Sequence, residues 1–334
     1  MRREANAVPA CGPAIHDWAI VLAGGEGSRL QSLTTTANGM SVPKQFCSFH
    51  GGPSLLHAAL ERAANATTRE RTSVVLASHH RRWWEHLHLG LADDNIVVQP
   101  FSRGTAYGIL LPLLQILHRD PNATLLVLPS DHYVRAEDVL AASLKQALAR
   151  AREHDEIILL GMEPEEADPE LGYIVVDGEP GRAIQSVKQF VEKPIAAHAR
   201  ALIERGGLWN SFIFAANGAA LLEVFEARTP DAVAELRGII EQSPDRQVRD
   251  RRIAGLYETL VPLDFSRDIL EHASGKLGAM TVPRCGWSDL GTPRRIADVL
   301  ERRELKSAQR SAVAPHARGF LDLAARHAQL QVAR

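Results

Sequence analysis

Residues 18–30 read WAIVLAGGEGSRL: the apolar run WAIVL (18–22), an alanine, a cluster of glycines, then an arginine. A strand buried on both faces has this near-continuous apolar character, and a run of five is too short for an ordinary helix. Gly24, Gly25 and Gly27 let the backbone turn sharply and bring N–H groups toward an anion, while Arg29 offers a charged fork for phosphate. The spacing is neither GxxxxGK[ST] nor GxGxxG, so the common mononucleotide and dinucleotide motifs are excluded. In open α/β sheets the ligand lies beyond the carboxyl ends of the strands, where this loop falls.

Similar runs recur at 73–77 (SVVLA), 95–99 (NIVVQ), 124–128 (TLLVL) and 156–161 (EIILLG), separated by Ala- and Leu-rich stretches of helical period at 54–64, 81–91, 105–118 and 137–153. That alternation predicts βαβ units in a parallel sheet. Strands at 172–177, 184–192 and 211–215 are then set off by Gly and Pro, with helices at 194–205 and 218–226, so the second half is mixed. The expected fold is α/β: a Rossmann-like, mixed, mainly parallel sheet flanked by helices, with a C-terminal helical tail. Residues 1–16 are an expected extension, 17–300 the catalytic domain and 301–334 the tail. The tail carries seven basic and three acidic residues, breaks near Pro315, and is expected to dock on the body or on a second subunit.

The chain has 334 residues, 38 Lys and Arg against 40 Asp and Glu, and 45% hydrophobic residues, which excludes disorder and bulk-charge binding of nucleic acid. Cys11, Cys47 and Cys285 are far apart without a CxxC, so neither a disulfide framework nor a structural zinc site is expected. No apolar run approaches the roughly 18 residues of a membrane span, and Glu4, Asn6, Pro9, Pro13, His16 and Asp17 interrupt any leader core. A cytoplasmic location is the expectation.

Lys44, in PKQF (43–46), supplies a second cation for the glycine loop. LPSDH (128–132) places Asp131 at a strand end, as a magnesium ligand or as a cap for the next turn, and GWSDLGT (286–292) offers a second loop carboxylate, Asp289. In FVEKP (190–194), Glu192 can accept sugar hydroxyls and Lys193 can meet a phosphate; Asn210 in WNSFIF (209–214) suits a polyol. His79, His80, His86 and His88 flank Trp83 and Trp84 in an expected helix, where HxH spacing turns the imidazoles apart, so no metal role is expected. Cys47 is either a reactive thiol or a small buried hydrophobe.

Taken in this order, LAGGEGSRL, PKQF, LPSDH, GYI, FVEKP, WNSFIF and GWSDLG resemble the sugar-phosphate nucleotidylyltransferases, most closely the mannose-1-phosphate guanylyltransferases, over residues 17–292. The resemblance implies that Leu22, Ala23, Gly24, Gly25, Gly27, Ser28, Arg29 and Lys44 hold the nucleoside triphosphate, with Gln99, Arg103, Gly104, Thr105, Ser130 and Asp131. It implies Mg²⁺ on Asp131 and Asp289, the sugar on Gly172, Tyr173, Glu192, Asn210 and Ser211, and the sugar phosphate on Lys193. Arg29, Lys44, Asp131, Lys193 and Asp289 would form the catalytic group, joining mannose 1-phosphate to GTP. No catalytic base is needed, because a sugar phosphate is already ionised near neutral pH.

Three departures from the family pattern bear on specificity. Gln31-Ser32-Leu33-Thr34 replaces the usual Pro-Leu-Ser stretch, Phe212 stands where glycine is commoner, and Gln99 replaces glutamate. An amide can also match a pyrimidine edge, so UTP or dTTP with glucose 1-phosphate is the alternative, and a non-catalytic sensor on the same fold is another. With little chain after Thr292 and no hexapeptide repeat, a single-function enzyme is expected, with a homodimer suggested by family precedent.

Overall fold

The computed structural model describes residues 15–36, 38–49, 51–177, 183–273 and 275–312, with side chains as far as 302. Among these residues nine strands form one sheet: β1 (Asp17–Ala23), β2 (Thr72–Ala77), β3 (Ile96–Gln99), β4 (Thr124–Pro129), β5 (Ile157–Met162), β6 (Tyr173–Asp177), β7 (Gln185–Val191), β8 (Leu208–Asn217) and β9 (Leu277–Val282). The order is β3-β2-β1-β4-β8-β5-β9-β7-β6. The helices are α1 (Gln31–Thr34), α2 (Leu55–Ala66), α3 (Arg81–Trp84), α4 (Thr105–Arg119), α5 (Glu137–Glu153), α6 (Ala196–Glu204), α7 (Gly218–Arg228), α8 (Pro230–Gln242), α9 (Arg246–Thr259) and α10 (Pro293–Ala312).

Alternation along β1 divides its side chains between two cores. Trp18 and Ile20 join Val75, Val97, Leu125 and Val127 under α4, α7 and α8, whereas Ala19 and Val21 join Val74, Leu76, Leu126 and Leu128 under α2 and α5. β3, β2, β1 and β4 run parallel, as the alternation of strands and helices predicts. β8 then runs antiparallel to β4 and β5, and β5 parallel to β9, so the sheet is mixed from β8 onward.

β8 also pairs with β6, through Tyr173 opposite Trp209 and Ile174 opposite Leu208. Its pairing with β5 shifts between Leu159, opposite Phe214, and Gly161, opposite Asn210, which leaves extra residues on β8. Phe212 sits in this bulge at φ 58°. Ser211 Oγ donates to the Leu160 carbonyl and accepts from Ile213 N, while Asn210 Oδ1 accepts from Phe212 N.

Three expectations need correction. The helix expected at 81–91 is the single turn α3. β9 and the α8–α9 pair were not foreseen. LGAMTV in β9 is rich in small residues and is a strand through its pairing with β5 and β7, and α9 buries just Ile253 and Tyr257 on an otherwise charged surface. Residue 300, the expected domain boundary, falls inside α10, whose Ile296, Val299 and Leu300 pack on Leu30, Leu55 and Leu290 of the body. Pro315, Cys11 and most of the expected N-terminal extension lie outside the described residues.

Candidate active site

A cleft of about 430 Å³ opens at the carboxyl ends of β1 and β4. Its floor is the glycine loop, and the turn Lys44–Phe46 fixes that loop from below: Gln45 Nε2 donates to the carbonyls of Ala23 (2.9 Å) and Gly25 (3.0 Å). Gly27 has φ 60°, and a Cβ there would lie 3.1 Å from Lys44 Cβ, so backbone conformation and close approach both require glycine. Leu22, Gly25, Gly27, Ser28, Arg29, Lys44, Thr105, Ser130, Asp131, Gly172, Glu192, Lys193, Asn210, Ser211 and Asp289 all line the cleft. Sequence motifs far apart in the chain therefore meet in one cavity.

Lys44 is 5% exposed, and its Nζ reaches Asp131 Oδ2 at 2.9 Å and the Asp289 carbonyl at 2.6 Å. A buried ammonium is tolerable because a carboxylate and carbonyls surround it. Burial pushes the Asp131 carboxyl up, but the charge and hydrogen bond of Lys44, with His132 and a backbone N–H, together hold the group below its usual range. Asp289 ends above its usual range: burial raises it, Gly291 N–H and Lys44 oppose the rise, and the Asp131 charge adds to it. Asp289 Oδ1 also accepts from Arg295, which holds Asp168 with its other arm.

His132 serves the wall of the cleft more than its chemistry. Trp287 Nε1 donates to its Nδ1 at 3.2 Å, which requires that nitrogen to be bare, and burial pushes the imidazole down to about 3. Across the cleft, Glu192 is raised above the ordinary carboxylate range by burial, with Lys193 opposing and Asp264 and Glu271 adding to the rise. Gly172 faces it closely, since a Cβ there would lie 2.6 Å from Glu192 Oε2. Arg29 spans the mouth to pair with Glu170. Lys193, Phe212 and Leu290 are the non-glycine residues of positive φ among those described, at 46°, 58° and 48°, and all three line this cleft. Backbone strain of that kind gathers where a site demands a particular direction of side chain or carbonyl.

Several expected residues stand differently. Arg103 spends its guanidinium on the carbonyls of Tyr257 and Glu258 and is not among the lining residues. Gly104 is a tight turn: at φ 89° it caps α4 and lies so near Leu263 that a Cβ would come within 2.0 Å of its carbonyl oxygen. Tyr173 is fully buried, its hydroxyl shared by Asp168 and Trp209, so it supports the wall of the cleft from behind and does not line it. Gln99 is buried, with Nε2 toward Tyr257 Oη at 3.4 Å and Oε1 toward Gly24, whose Cβ would come within 3.2 Å. Ala23, Gly24 and Gln99 are not among the residues that line the cleft; Gly24 lies against Gln99, and the Ala23 carbonyl accepts from Gln45.

Cys47 is buried, and desolvation pushes its thiol up to about 12, so the hydrophobe alternative holds over the reactive one. Residues the sequence did not single out include Arg295, Glu170 and Asp264, whose Oδ2 accepts from Thr105 Oγ1 at 3.2 Å. No motif marks them, because each matters through a partner more than 100 residues away or, for Arg295, through a bridge between two loops.

Residues 18–304 match the family described as nucleotidyl transferase. The xanthan biosynthesis protein XanB of Xanthomonas campestris pv. campestris is 31% identical over 85% of this chain and 59% of its own length. A mannose-1-phosphate guanylyltransferase of Sinorhizobium fredii is 28% identical over 81% of this chain and 52% of its own. The chain thus spans between half and three fifths of the length of these relatives. The crystal structure of a Thermus thermophilus protein, described as mannose-1-phosphate geranyltransferase, superposes with a TM-score of 0.72 at 28% identity, covering 86% of this chain and 79% of that one. A UDP-glucose pyrophosphorylase structure, at 16% identity and TM-score 0.57 over 88% of this chain and all of the other, shares the fold.

Proposed function

Because the chain belongs to the nucleotidyl transferase family, we propose that it transfers a nucleotidyl group from a nucleoside triphosphate to a hexose 1-phosphate, GTP and mannose 1-phosphate being the pair. The observation that carries this reading is the single cleft shared by the glycine loop, the Asp131–Lys44–Asp289 cluster and the Glu192–Lys193–Asn210 wall. In the reaction, a phosphate oxygen of the sugar 1-phosphate attacks the α-phosphorus; the new P–O bond forms as the bond to pyrophosphate breaks. No proton has to be removed from the nucleophile, so catalysis is positioning and charge neutralisation. The loop N–H groups, Arg29 and Lys44 face the triphosphate, and Lys193 with Asn210 and Glu192 orients the sugar phosphate.

Asp131 and Asp289 fit a divalent cation. Both are carboxylates that line one cleft, and Mg²⁺ usually takes one or two carboxylates and leaves its other positions to phosphate oxygens and water. Mg²⁺ is the ion we assign, and bound there it would neutralise phosphate oxygens. Lys44 and Arg295 hold the two carboxylates meanwhile.

Gln99 bears on the choice of base. It stands behind the glycine loop, Nε2 turned to Tyr257 and Oε1 against Gly24, so it acts on the base through the shape of that loop, and its amide does not by itself favour guanine over uracil or thymine. This keeps the UTP or dTTP with glucose 1-phosphate alternative in play. Pyrophosphate release with mannose 1-phosphate and with glucose 1-phosphate, across GTP, ATP, UTP, CTP and dTTP, tests both. Selective release with GTP and mannose 1-phosphate is expected; silence with every pair, from folded protein that still binds nucleotide, supports the sensor instead.

A further inference from the structure

The glycine loop carries an acidic residue, Glu26, between Gly25 and Gly27, beside a cleft meant for phosphates. Its carboxylate is held by two consecutive imidazoles at the carboxyl end of β2. His79 Nε2 lies 2.6 Å from Oε1 and His80 Nε2 3.5 Å from Oε2. The two rings sit 4.1 Å apart at 60°, because the chain makes a tight turn at residues 78–80. One carboxylate oxygen and two imidazole nitrogens lie within 4.8 Å of one another.

We propose that Glu26, His79 and His80 form a second cation site, selective for a borderline transition metal such as Zn²⁺, which ties the glycine loop to the end of β2. A tetrahedral zinc with ligands at its usual bond lengths separates them by about 3.3 Å, so the wider spacings must close by up to about 1.5 Å and the 2.6 Å His79–Glu26 contact must open. Imidazole nitrogen suits Zn²⁺, Ni²⁺ and Cu²⁺ and not Mg²⁺, so this site and the all-oxygen pair Asp131–Asp289 select different metals. Burial and the neighbouring imidazole lower the pKa of His80 against the pull of Glu26, which favours the neutral ring that a metal needs. Three protein ligands leave one position for water or an anion.

The sequence argued against a metal here from helical HxH spacing. The chain forms no such helix, and the ligands are the adjacent pair and a loop residue 53 positions earlier, with His86 outside the cluster. One feature limits affinity: His80 Nδ1 is buried without a hydrogen-bond partner, and a zinc-bound imidazole usually donates from that nitrogen. A missing outer partner of this kind weakens binding by about 10–100-fold, so the site is of micromolar and not nanomolar strength.

The test is calorimetric titration of Zn²⁺ into the full chain, freed of transition metal and kept in excess Mg²⁺, with Co²⁺ as a spectroscopic probe. One equivalent of Zn²⁺ should bind in the micromolar range, and Co²⁺ should give visible d–d absorption. His79→Ala and Glu26→Gln should each weaken Zn²⁺ binding at least about 10-fold, and His86→Ala should leave it unchanged. His79 is a surface residue, so its variant reports binding without loss of fold, and an unchanged melting temperature of the metal-free variant checks that. No binding at about 100-fold above the expected Kd, or one equivalent retained in both variants, overturns the proposal. Binding is read without turnover, so failure of the proposed reaction leaves this test standing.

Discussion

At the scale of single residues, the Lys44–Asp131 pair makes a prediction that separates chemistry from stability. Asp131→Ala and Asp289→Ala should each reduce pyrophosphate release at least about 100-fold, since each removes a carboxylate facing the phosphates. They should differ in chemical denaturation. Asp131→Ala strands a buried ammonium among carbonyls and should cost about 2–3 kcal/mol, whereas Asp289 meets Lys44 through its backbone carbonyl, which alanine retains, and Arg295, its side-chain partner, keeps Asp168. Near-normal turnover in either variant sinks the metal assignment, and equal loss of stability sinks this account of Lys44.

His132 sets a pH dependence. Its folded pKa of about 3 lies below the ordinary value of 6.5, so on acidification the unfolded chain takes up the proton first. This contribution to stability is complete above pH 6.5 and is lost progressively as pH falls toward 3, with a slope approaching about 1.4 kcal/mol per pH unit. His132→Asn, which keeps an acceptor for the Trp287 N–H, should flatten that acid limb in urea melts at successive pH values. An unchanged limb would assign the loss to other groups. Cys47 and Cys285, both buried with thiols raised by desolvation, should resist iodoacetamide at neutral pH in the folded chain and react once it is unfolded. The sequence marked Lys44, Asp131 and Asp289 by residue type and by turn context. It could not show that Lys44 is buried, because that depends on two carbonyls 245 and 246 residues away.

At the scale of elements, the bulge in β8 and the tight turn before α4 set Phe212 and Thr105 on the cleft. Phe212 carries a ring against Phe265 at 6.0 Å while its backbone is left-handed. Phe212→Ala and Phe212→Gly both lose the ring, but glycine alone is relaxed at that φ, so the glycine variant should be the more stable by about 1 kcal/mol in denaturant titration. Equal stability would mean that the bulge relaxes once the ring is gone. Gly104→Ala is the opposite case. Its Cβ would collide with the Leu263 carbonyl, and residues 103–106 are tied to 263–265 by Leu263 N to Arg103 O, Ala106 N to Leu263 O and Phe265 N to Thr105 Oγ1. A loss of about 3 kcal/mol or more, with weakened nucleotide binding, is expected. Hydrophobic runs made the strands of the first half legible. The short α3 was not, because RRWWEHLHL has helical spacing and only the fold shows that it stops after one turn.

At the scale of the whole molecule, the mixed sheet brings both halves of the chain to one cleft: the parallel part supplies the glycine loop and Asp131, and the antiparallel part supplies Glu192, Lys193 and Asn210. This division was legible in outline, since the change from alternating βα units to Gly-bounded strands is written in the sequence. The closing contact of β6 on β8 was not, because such pairing between distant strands depends on register and not on composition. Replacing Gln99 with Glu would put a carboxylate between Gly24 and Tyr257, behind the glycine loop. A shift of nucleotide preference toward GTP is expected if this side chain reads the base, and an unchanged profile would remove it from base selection.

The cluster around Lys44 also bears on the order in which ligands arrive. Both candidate metal carboxylates already have cationic partners, Lys44 for Asp131 and Arg295 for Asp289, so the free protein presents little unbalanced negative charge to a hard cation. A bare Mg²⁺ ion must compete with those partners, whereas a triphosphate brings its own charge and carries the ion in with it. Calorimetry should therefore show almost no heat for Mg²⁺ alone and a clear signal for Mg²⁺ added with nucleotide. Withdrawing Mg²⁺ from the nucleotide-free chain should leave its melting temperature where it is.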